Sequence, residues 1–389
     1  MIFPSFTPGR RFLHPGSARI FFLATAIILG NCAGSPATIQ ISQEAVVGAG
    51  NLELADAPSY LVGLSAEART YFYLEGESDE RRSATAISVD PEGGVHSIEL
   101  VKGFRGHLGG VLVDATGALL VPIVRQRTAD QMVFEIWRWD GAQAVASQSA
   151  RCVLPDAVHG QVFARDTLAL VYEDRQGDLW LHEFDHGGGC SERERRLVAR
   201  APLPQGYLLK DIGSTLVLAG RVGGTYMASL FSWNTLDERR VRFAVGGATE
   251  ARDLDVTRTA DGRLIALFSV LNRGVWDVGM SEVVGQGFST PTDQIVVASA
   301  DIVRFPELVE RAGCWFASWV VIDDRSGEHL RLISPLDEEL LVRGGEVAFR
   351  WSRNDLATST WTSDGLLTAW ISPQQPTILN WATYSPVVW

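Results

Sequence analysis

The sequence of 389 residues predicts an all-β fold, namely a seven-bladed β-propeller with four-stranded blades. Three observations lead to this prediction. Short apolar runs recur at an even spacing, turns rich in Gly and Asp precede several of them, and amphipathic helical patterns of useful length are absent. Hydrophobic residues make up 46% of the chain, which is enough for a packed core.

The apolar runs begin at anchor residues that follow one another at steps of 48 to 51 residues. The seven anchors are Thr70, Leu119, Leu168, Leu216, Leu264, Trp315 and Leu366. A repeat of this length is typical of propeller blades, each of which is one supersecondary unit. We therefore expect every anchor to begin the second strand of a blade.

The same order of strands and turns recurs within each unit. A first strand leads into a turn such as residues 114–117 or 259–262, where Gly and Asp tolerate the positive φ angles of tight hairpins. The second strand is apolar on both faces, whereas the third, such as residues 133–139, tends to alternate. This pattern suits a blade packed between two neighbours. An outer-membrane barrel would alternate in nearly every strand, so the propeller is favoured.

The two ends of the repeat region complement each other. The last unit ends after its third strand, near residues 377–384, and lacks a fourth. Residues 38–47 precede the first unit and have the composition of a strand. We expect this N-terminal strand to complete the last blade, which would leave no long edge open. Residues 33–389 would then form a single propeller domain.

Residues 1–32 have the features of an export signal. Arg10, Arg11 and Arg19 give a positive first part, and residues 20–29 form an apolar run too short to span a bilayer comfortably. No later segment has 18 apolar residues in a row, so no transmembrane helix is expected in the mature chain. The predicted location is the bacterial cell envelope or the exterior.

The end of the signal predicts a lipid anchor. Residues 29–32, Leu-Gly-Asn-Cys, resemble the bacterial lipobox, in which the cysteine is lipidated and becomes the first mature residue. Asn31 departs from the usual small residue before that cysteine. We predict lipidation at Cys32, and the alternative is ordinary cleavage near residues 33–37.

The remaining cysteines suggest structural roles. Export to an oxidising compartment makes a bridge between Cys152 and Cys190 plausible, because both lie in polar surroundings. Cys314 lies in an apolar run and is expected to be a buried thiol. The cysteine spacings are not those of a zinc site, so we expect neither a metal nor another cofactor.

The charge of the chain limits its partners. The net charge of −12 and the pI near 5.1 argue against a general nucleic-acid binder, which needs a basic surface. The expected partners are an envelope protein or a glycan, or a small anionic ligand. Membrane contact is expected only through the N-terminal anchor.

The period and the turn pattern over residues 38–389 resemble the broad superfamily of propellers that includes sialidase-like and other bacterial extracytoplasmic families. The turn at residues 259–262 is similar to the Ser/Thr-x-Asp-x-Gly boxes of sialidases. A sialidase-like glycosidase would need an arginine cluster, a Tyr/Glu pair and an Asp acid/base. The sequence suggests the arginine element only.

A ligand site is expected where the first strands begin, because these strands line the central channel of a propeller. The residues predicted to enter the first strands are Tyr60, His107, His159, Lys210, Arg252, Arg304 and Asp355. We hypothesise that Arg252 and Arg304 hold a small anionic or carbohydrate-acid ligand at this mouth, with Lys210, His107 and His159 nearby, since the planar guanidinium suits carboxylates and phosphates. The alternative is that the arginines form inter-blade ion pairs with Asp253, Asp255, Asp301 or Glu307.

Two function classes fit these features. The leading prediction is a non-enzymatic binding or scaffolding propeller, and the other is a glycoside-processing enzyme that uses the arginines. No nucleophile elbow, phosphate-binding loop or His-Glu-x-x-His motif occurs in the sequence. A binding scaffold can have its arginines neutralised by carboxylates, whereas the enzyme needs them free beside an acid/base residue.

Overall fold

The computed structural model describes residues 46–66, 69–78, 81–104, 110–128, 131–155, 157–165, 167–184, 195–243, 250–259, 262–283, 289–299, 302–311, 313–323, 325–336, 346–362 and 365–385. Within these ranges the chain forms β-strands arranged as seven four-stranded antiparallel sheets, which are the blades of a seven-bladed propeller. The predicted fold class is therefore confirmed. Among the described residues, no helix is long and apolar enough to cross a membrane.

The first four blades follow one another along the chain. Blade 1 contains β2 (Tyr60–Ala66), β3 (Arg69–Ser78), β4 (Arg81–Val89) and β5 (Val95–Phe104). Blade 2 contains β6 (Leu112–Val113), β7 (Leu119–Thr128), β8 (Gln131–Trp139) and β9 (Ser147–Pro155). Blade 3 contains β10 (Ala157–Ala164), β11 (Leu168–Asp174), β12 (Leu179–Glu183) and β13 (Arg196–Ala199). Blade 4 contains β14 (Gln205–Asp211), β15 (Thr215–Val222), β16 (Thr225–Ser232) and β17 (Glu238–Phe243).

The other three blades complete the ring. Blade 5 contains β18 (Glu250–Arg258), β19 (Leu264–Asn272), β20 (Val275–Val283) and β21 (Ser289–Ser299). Blade 6 contains β22 (Ile302–Arg311), β23 (Cys314–Asp323), β24 (Glu328–Leu336) and β25 (Glu346–Ser352). Blade 7 contains β26 (Leu356–Trp361), β27 (Leu366–Ile371), β28 (Ile378–Tyr384) and β1 (Val46–Glu53). In all seven blades the second strand begins within one residue of the predicted anchor.

The N-terminal strand closes the ring as predicted, although its position along the chain differs. β1 pairs antiparallel with β28 and is the outermost strand of blade 7. The expected strand covered residues 38–47, of which only the last two are described. The sequence prediction stopped too early because Gly48 and Gly50 are poor strand formers. They lie under the Trp381 indole, and a Cβ on Gly50 would be 2.9 Å from its Nε1 atom.

The apolar core lies between the blades. Each pair of neighbouring blades shares a cluster of buried apolar side chains drawn from both sheets. Trp139, Trp233 and Trp319 are the largest of these side chains and are almost fully buried. Because the second strands are covered by a blade on each face, their apolar character on both faces is explained.

The cysteines agree only in part with expectation. Cys152 and Cys314 are both buried and both disulfide-bonded, and the described residues contain no free cysteine. The expectation of a Cys314 thiol is therefore wrong. An apolar strand accommodates a half-cystine as readily as a thiol, so composition could not separate them. Cys190 and Cys32 lie outside the described residues. The chain has four cysteines, so a Cys152–Cys190 bridge would leave Cys32 as the partner of Cys314 within the chain, and that bridge and the lipidation of Cys32 are alternative predictions.

Candidate functional site

The first strands of the blades line the centre of the ring. They contact their counterparts in neighbouring blades, for example β2 with β26 and β18 with β22. In six blades, the residue five positions after the anchor on the second strand pairs with a residue at the beginning of the first strand, and these partners lie at the same level. In blade 2 the described first strand, β6, does not extend to this level. The six partners are Tyr60, His159, Gln205, Arg252, Arg304 and Leu356, and we call them the entry rim.

Four of the residues predicted for this mouth belong to the entry rim: Tyr60, His159, Arg252 and Arg304. Asp355 immediately precedes Leu356 and accepts a hydrogen bond from the Ser352 amide at 2.9 Å, in the turn that enters blade 7. His107 lies outside the described residues. The register therefore brings most of the predicted residues to one end of the channel.

Lys210 is not at the entry rim, and Gln205 has the position that was expected for it. Lys210 pairs with Val217, one residue after the anchor, so it lies towards the end of β14. The turn glycine is ten residues beyond Arg252 in blade 5 but only three residues beyond Lys210 in blade 4. The predicted position of Lys210 was wrong because the residue was chosen for its positive charge and not for its distance from the turn glycine.

Arg304 is engaged by a carboxylate of the neighbouring blade. Its guanidinium binds Asp253 through two atoms, with Nε donating to Oδ2 and Nη2 donating to Oδ1 at 3.2 Å. The guanidinium also lies over the Phe305 ring, 4.9 Å from its centroid. Two parallel charge-assisted hydrogen bonds fix both side chains, so Arg304 forms the inter-blade pair that was the alternative to anion binding.

Arg252 is also neutralised, but within its own strand. Its Nε donates to the Glu250 carboxylate at 2.6 Å, and the guanidinium lies 4.9 Å from the centroid of the Trp276 ring. Both charged side chains are partly exposed to solvent, so this ion pair contributes little to stability. The Glu250 carboxylate nevertheless occupies the Arg252 guanidinium, so an anionic ligand would have to displace it.

A second carboxylate joins three successive blades below the rim. Lys210 Nζ lies 2.5 Å from Asp255 Oδ1, and the Leu308 amide donates to Asp255 Oδ2 at 3.2 Å. Asp255 is buried, whereas the Lys210 side chain is one-third exposed. The carboxylate of blade 5 therefore satisfies a cation of blade 4 and a backbone donor of blade 6.

The first strands of blades 4, 5 and 6 share a backbone irregularity next to the rim. Each has one extra residue relative to its partner strand, directly after the rim position. The residue that follows the rim residue has a positive φ in every case, at 60° for Gly206, 45° for Asp253 and 50° for Phe305. A left-handed backbone costs a residue with a side chain about 1–2 kcal/mol, whereas glycine adopts it readily. Blades 5 and 6 therefore carry local strain that blade 4 avoids.

Phe305 is held in this conformation from both sides. Its amide donates to Asp253 Oδ2 at 3.3 Å, and its carbonyl accepts from Arg331 Nη1 at 3.4 Å. Arg331 is itself buried and donates to Ser318 Oγ at 2.8 Å. The phenyl ring remains 55% exposed. The surrounding polar contacts thus fix the backbone and present the aromatic ring at the mouth of the channel.

Tyrosines and glutamates occupy the other side of the rim. The Tyr207 hydroxyl donates to Glu173 Oε2 at 2.7 Å, and burial together with this carboxylate raises the pKa of Tyr207. Burial and the nearby Glu75 likewise raise the pKa of Tyr60. Both hydroxyls therefore stay protonated at neutral pH. The described residues contain no group of three or more His, Cys, Asp or Glu side chains placed to hold a metal ion.

Comparison with known proteins supports the fold. The chain matches the β-propeller domain of the Trilobed protease from Pyrococcus furiosus over 84% of its length and 94% of that domain, with 8% identity and a TM-score of 0.50. That propeller is described as having an open velcro topology, whereas β1 and β28 pair here. No protein-family model and no curated protein matches the sequence.

Two peptidases are also similar in structure. Acylaminoacyl peptidase matches 83% of this chain with 13% identity and a TM-score of 0.50, and prolyl oligopeptidase B from Galerina marginata matches 82% with 11% identity and a TM-score of 0.45. The chain spans about half of each, namely 51% and 46% of their lengths. The two matches with a TM-score of 0.50, the Trilobed protease propeller and acylaminoacyl peptidase, thus show a fold similar to that of peptidase propeller domains at low identity.

The sequence did not point to Phe305 or Gln205, and it named Asp253 only as one of four possible partners of the arginines. Phe305 directly follows an arginine that was singled out, but an apolar residue in a strand is ordinarily a core residue. Only the bulge and the positive φ turn it outward. The structural signal is that the same bulge residue is glycine in blade 4.

Proposed function

We propose that this chain is an exported, lipid-anchored binding propeller of the bacterial envelope. It presents the entry rim to another envelope protein or to a glycan. The proposal rests on the charge and the exposure of the side chains at the entry rim. Its two arginines are neutralised by carboxylates, while Phe305 is held in a strained conformation with its ring exposed.

The exposed apolar groups at this end of the channel support an interaction surface. Tyr60, Val158 and Phe305 are all large hydrophobic residues with exposed side chains, and all lie at or beside the rim. Aromatic and arginine side chains dominate the energetics of protein interfaces. A bulge at this position requires only a left-handed residue, which Gly206 supplies in blade 4. The phenyl ring of Phe305 therefore adds surface chemistry that the fold does not need.

A glycoside-processing enzyme is the second candidate, because the Tyr207–Glu173 hydrogen bond provides a Tyr/Glu pair near the rim. Such an enzyme needs its arginines free for a substrate carboxylate. Asp253 and Glu250 engage the arginines instead, and the raised pKa of Tyr207 disfavours its ionised form. Hydrolysis of an acidic aryl glycoside, lost in Glu173→Gln, would favour this candidate over the binding propeller.

The binding proposal is tested with the purified mature protein immobilised beside two variants. Phe305→Gly removes the exposed ring. Val145→Gly removes a side chain that is more exposed, at 72%, from the loop between β8 and β9 at the opposite end of the blades. Each surface is probed with a glycan array and with envelope proteins of the source cell. We expect one component to bind the wild type and Val145→Gly, and to bind Phe305→Gly at least about tenfold more weakly. Equal binding to all three surfaces would contradict the proposal.

The lipid anchor is a separate part of the proposal and rests on the residues that end the signal. Incorporation of labelled fatty acid into the full-length chain, and its loss in Cys32→Ala, would support the anchor. Incorporation that is unchanged in Cys32→Ala, or absent from the wild type, would contradict it.

A further inference from the structure

A cleft lies at the seam where the ring closes, away from the first strands. Its walls are the segment that leads from β1 to β2 and the face of blade 1 formed by β3, β4 and β5. The cleft has a volume of about 440 Å³, within the usual range for small-ligand sites. The buried side chains of Leu74 and Ile87 contribute an apolar surface to it.

The polar side chains that line the cleft have no partner within the described part of the chain. Three hydroxyls belong to Ser83, Thr85 and Ser97 of the blade, and an amide belongs to Asn51 of β1. None of these groups makes a hydrogen bond with another described residue, whereas other polar side chains are used in turns and ion pairs. A concave surface with several unengaged hydrogen-bonding groups and an apolar patch has the features of a ligand site.

Two carboxylates determine the charge that the cleft accepts. Glu53 ends β1 and Asp56 follows it in the connecting segment, and both line the cleft. Among the described residues neither forms an ion pair, and no Lys, Arg or His lines the cleft. The uncompensated negative charge favours a cation and disfavours an anion.

We propose that this cleft binds a sugar that carries a free amino group. The sugar hydroxyls would meet the hydroxyls of Ser83, Thr85 and Ser97, and the apolar face of the ring would lie on Leu74 and Ile87. Glu53 and Asp56 would receive the ammonium group as charge-assisted hydrogen-bond acceptors. A simple cation would leave the row of hydroxyls unused, and a neutral sugar would leave the two carboxylates unused. The cleft shares no residue with the entry rim.

The test is isothermal titration calorimetry of the mature protein with the disaccharide of glucosamine. The comparison ligands are the N-acetylated disaccharide, which has the same hydroxyls without the positive charge, and a lysine-containing tripeptide, which has the charge without the sugar. We expect the glucosamine disaccharide to bind at least about tenfold more tightly than either. Its affinity should fall as the pH rises through the pKa of the amine, because the ligand then loses its charge.

Variants locate the binding in the cleft. Glu53→Gln together with Asp56→Asn keeps the size of both exposed side chains, removes their charge and should abolish the preference for the free amine. Glu92→Gln, an exposed acid in the turn between β4 and β5, is the matched control and should bind like the wild type. Phe305→Gly should also bind like the wild type, because it tests the rim and not this cleft.

Three outcomes would overturn the proposal. The first is the absence of binding of the glucosamine disaccharide to the wild type. The second is binding of the N-acetylated disaccharide or of the tripeptide that is as tight as binding of the glucosamine disaccharide. The third is unchanged affinity in the variant with Glu53→Gln and Asp56→Asn. None of these outcomes depends on whether a partner binds at the entry rim, so failure here and failure of the proposed function are distinguishable.

Discussion

Two junctions between blades differ in whether their polar side chains have hydrogen-bond or ion-pair partners. Between blades 5 and 6, Asp253 and Asp255 bind Arg304 and the Leu308 amide, and the contacts continue to Lys210 of blade 4. At the closing seam between blades 7 and 1, the polar side chains of the cleft have no partner among the described residues. The buried polar groups of the first junction are satisfied and serve the fold. The polar groups of the second junction are at least partly exposed to solvent and are available for a ligand.

The largest expected effect at the polar junction is that of Asp255→Ala. The substitution leaves the buried Leu308 amide and the Lys210 ammonium without their acceptor. We expect the free energy of unfolding to fall by about 2–3 kcal/mol, less than for a fully buried pair because Lys210 is partly exposed. Urea denaturation measures this change, with the exposed Glu92→Ala as control. A loss below about 0.5 kcal/mol would mean that the contacts across blades 4 to 6 do not stabilise the ring.

The strain at the bulge can be measured separately in blade 4. Gly206 has a φ of 60°, and a Cβ placed on it would meet no atom within 4 Å. Gly206→Ala therefore changes only the backbone preference, and we expect it to cost about 1 kcal/mol. Gly110→Ala is the matched control, because Gly110 also has open space but lacks a left-handed φ. If the two variants unfold at the same urea concentration, the left-handed position carries no strain.

The fold was more predictable than the site because the two depend on different properties of the chain. Runs such as 119–124 and 366–371 are apolar on both faces, so the second strands could be located to within one residue. The ring closure was also predictable from the missing strand of the last unit. The bounds of β1 were not, because Gly48 and Gly50 are required by contact with Trp381, which is distant in sequence.

The candidate site depended on register and on pairing across blades, which a repeat pattern does not specify. Arg252 and Arg304 lie at the expected level, but Glu250 was not named as an acceptor and Asp253 was named only as one of four. The outward position of Phe305 results from a bulge formed by residues other than glycine, which has no composition signal. The cleft combines segments of two blades and was not anticipated at all.

The most direct test of the account is the free energy of unfolding of Phe305→Gly, compared with Phe316→Ala. Phe305 is 55% exposed, whereas Phe316 is 1% exposed in the core between blades 6 and 7. If Phe305 serves binding, its replacement relieves a strained φ and loses little burial, so stability should change by less than about 1 kcal/mol. Phe316→Ala should cost about 3–5 kcal/mol. A loss of several kcal/mol in Phe305→Gly would show that the ring supports the fold and would contradict its role as the exposed anchor of the rim.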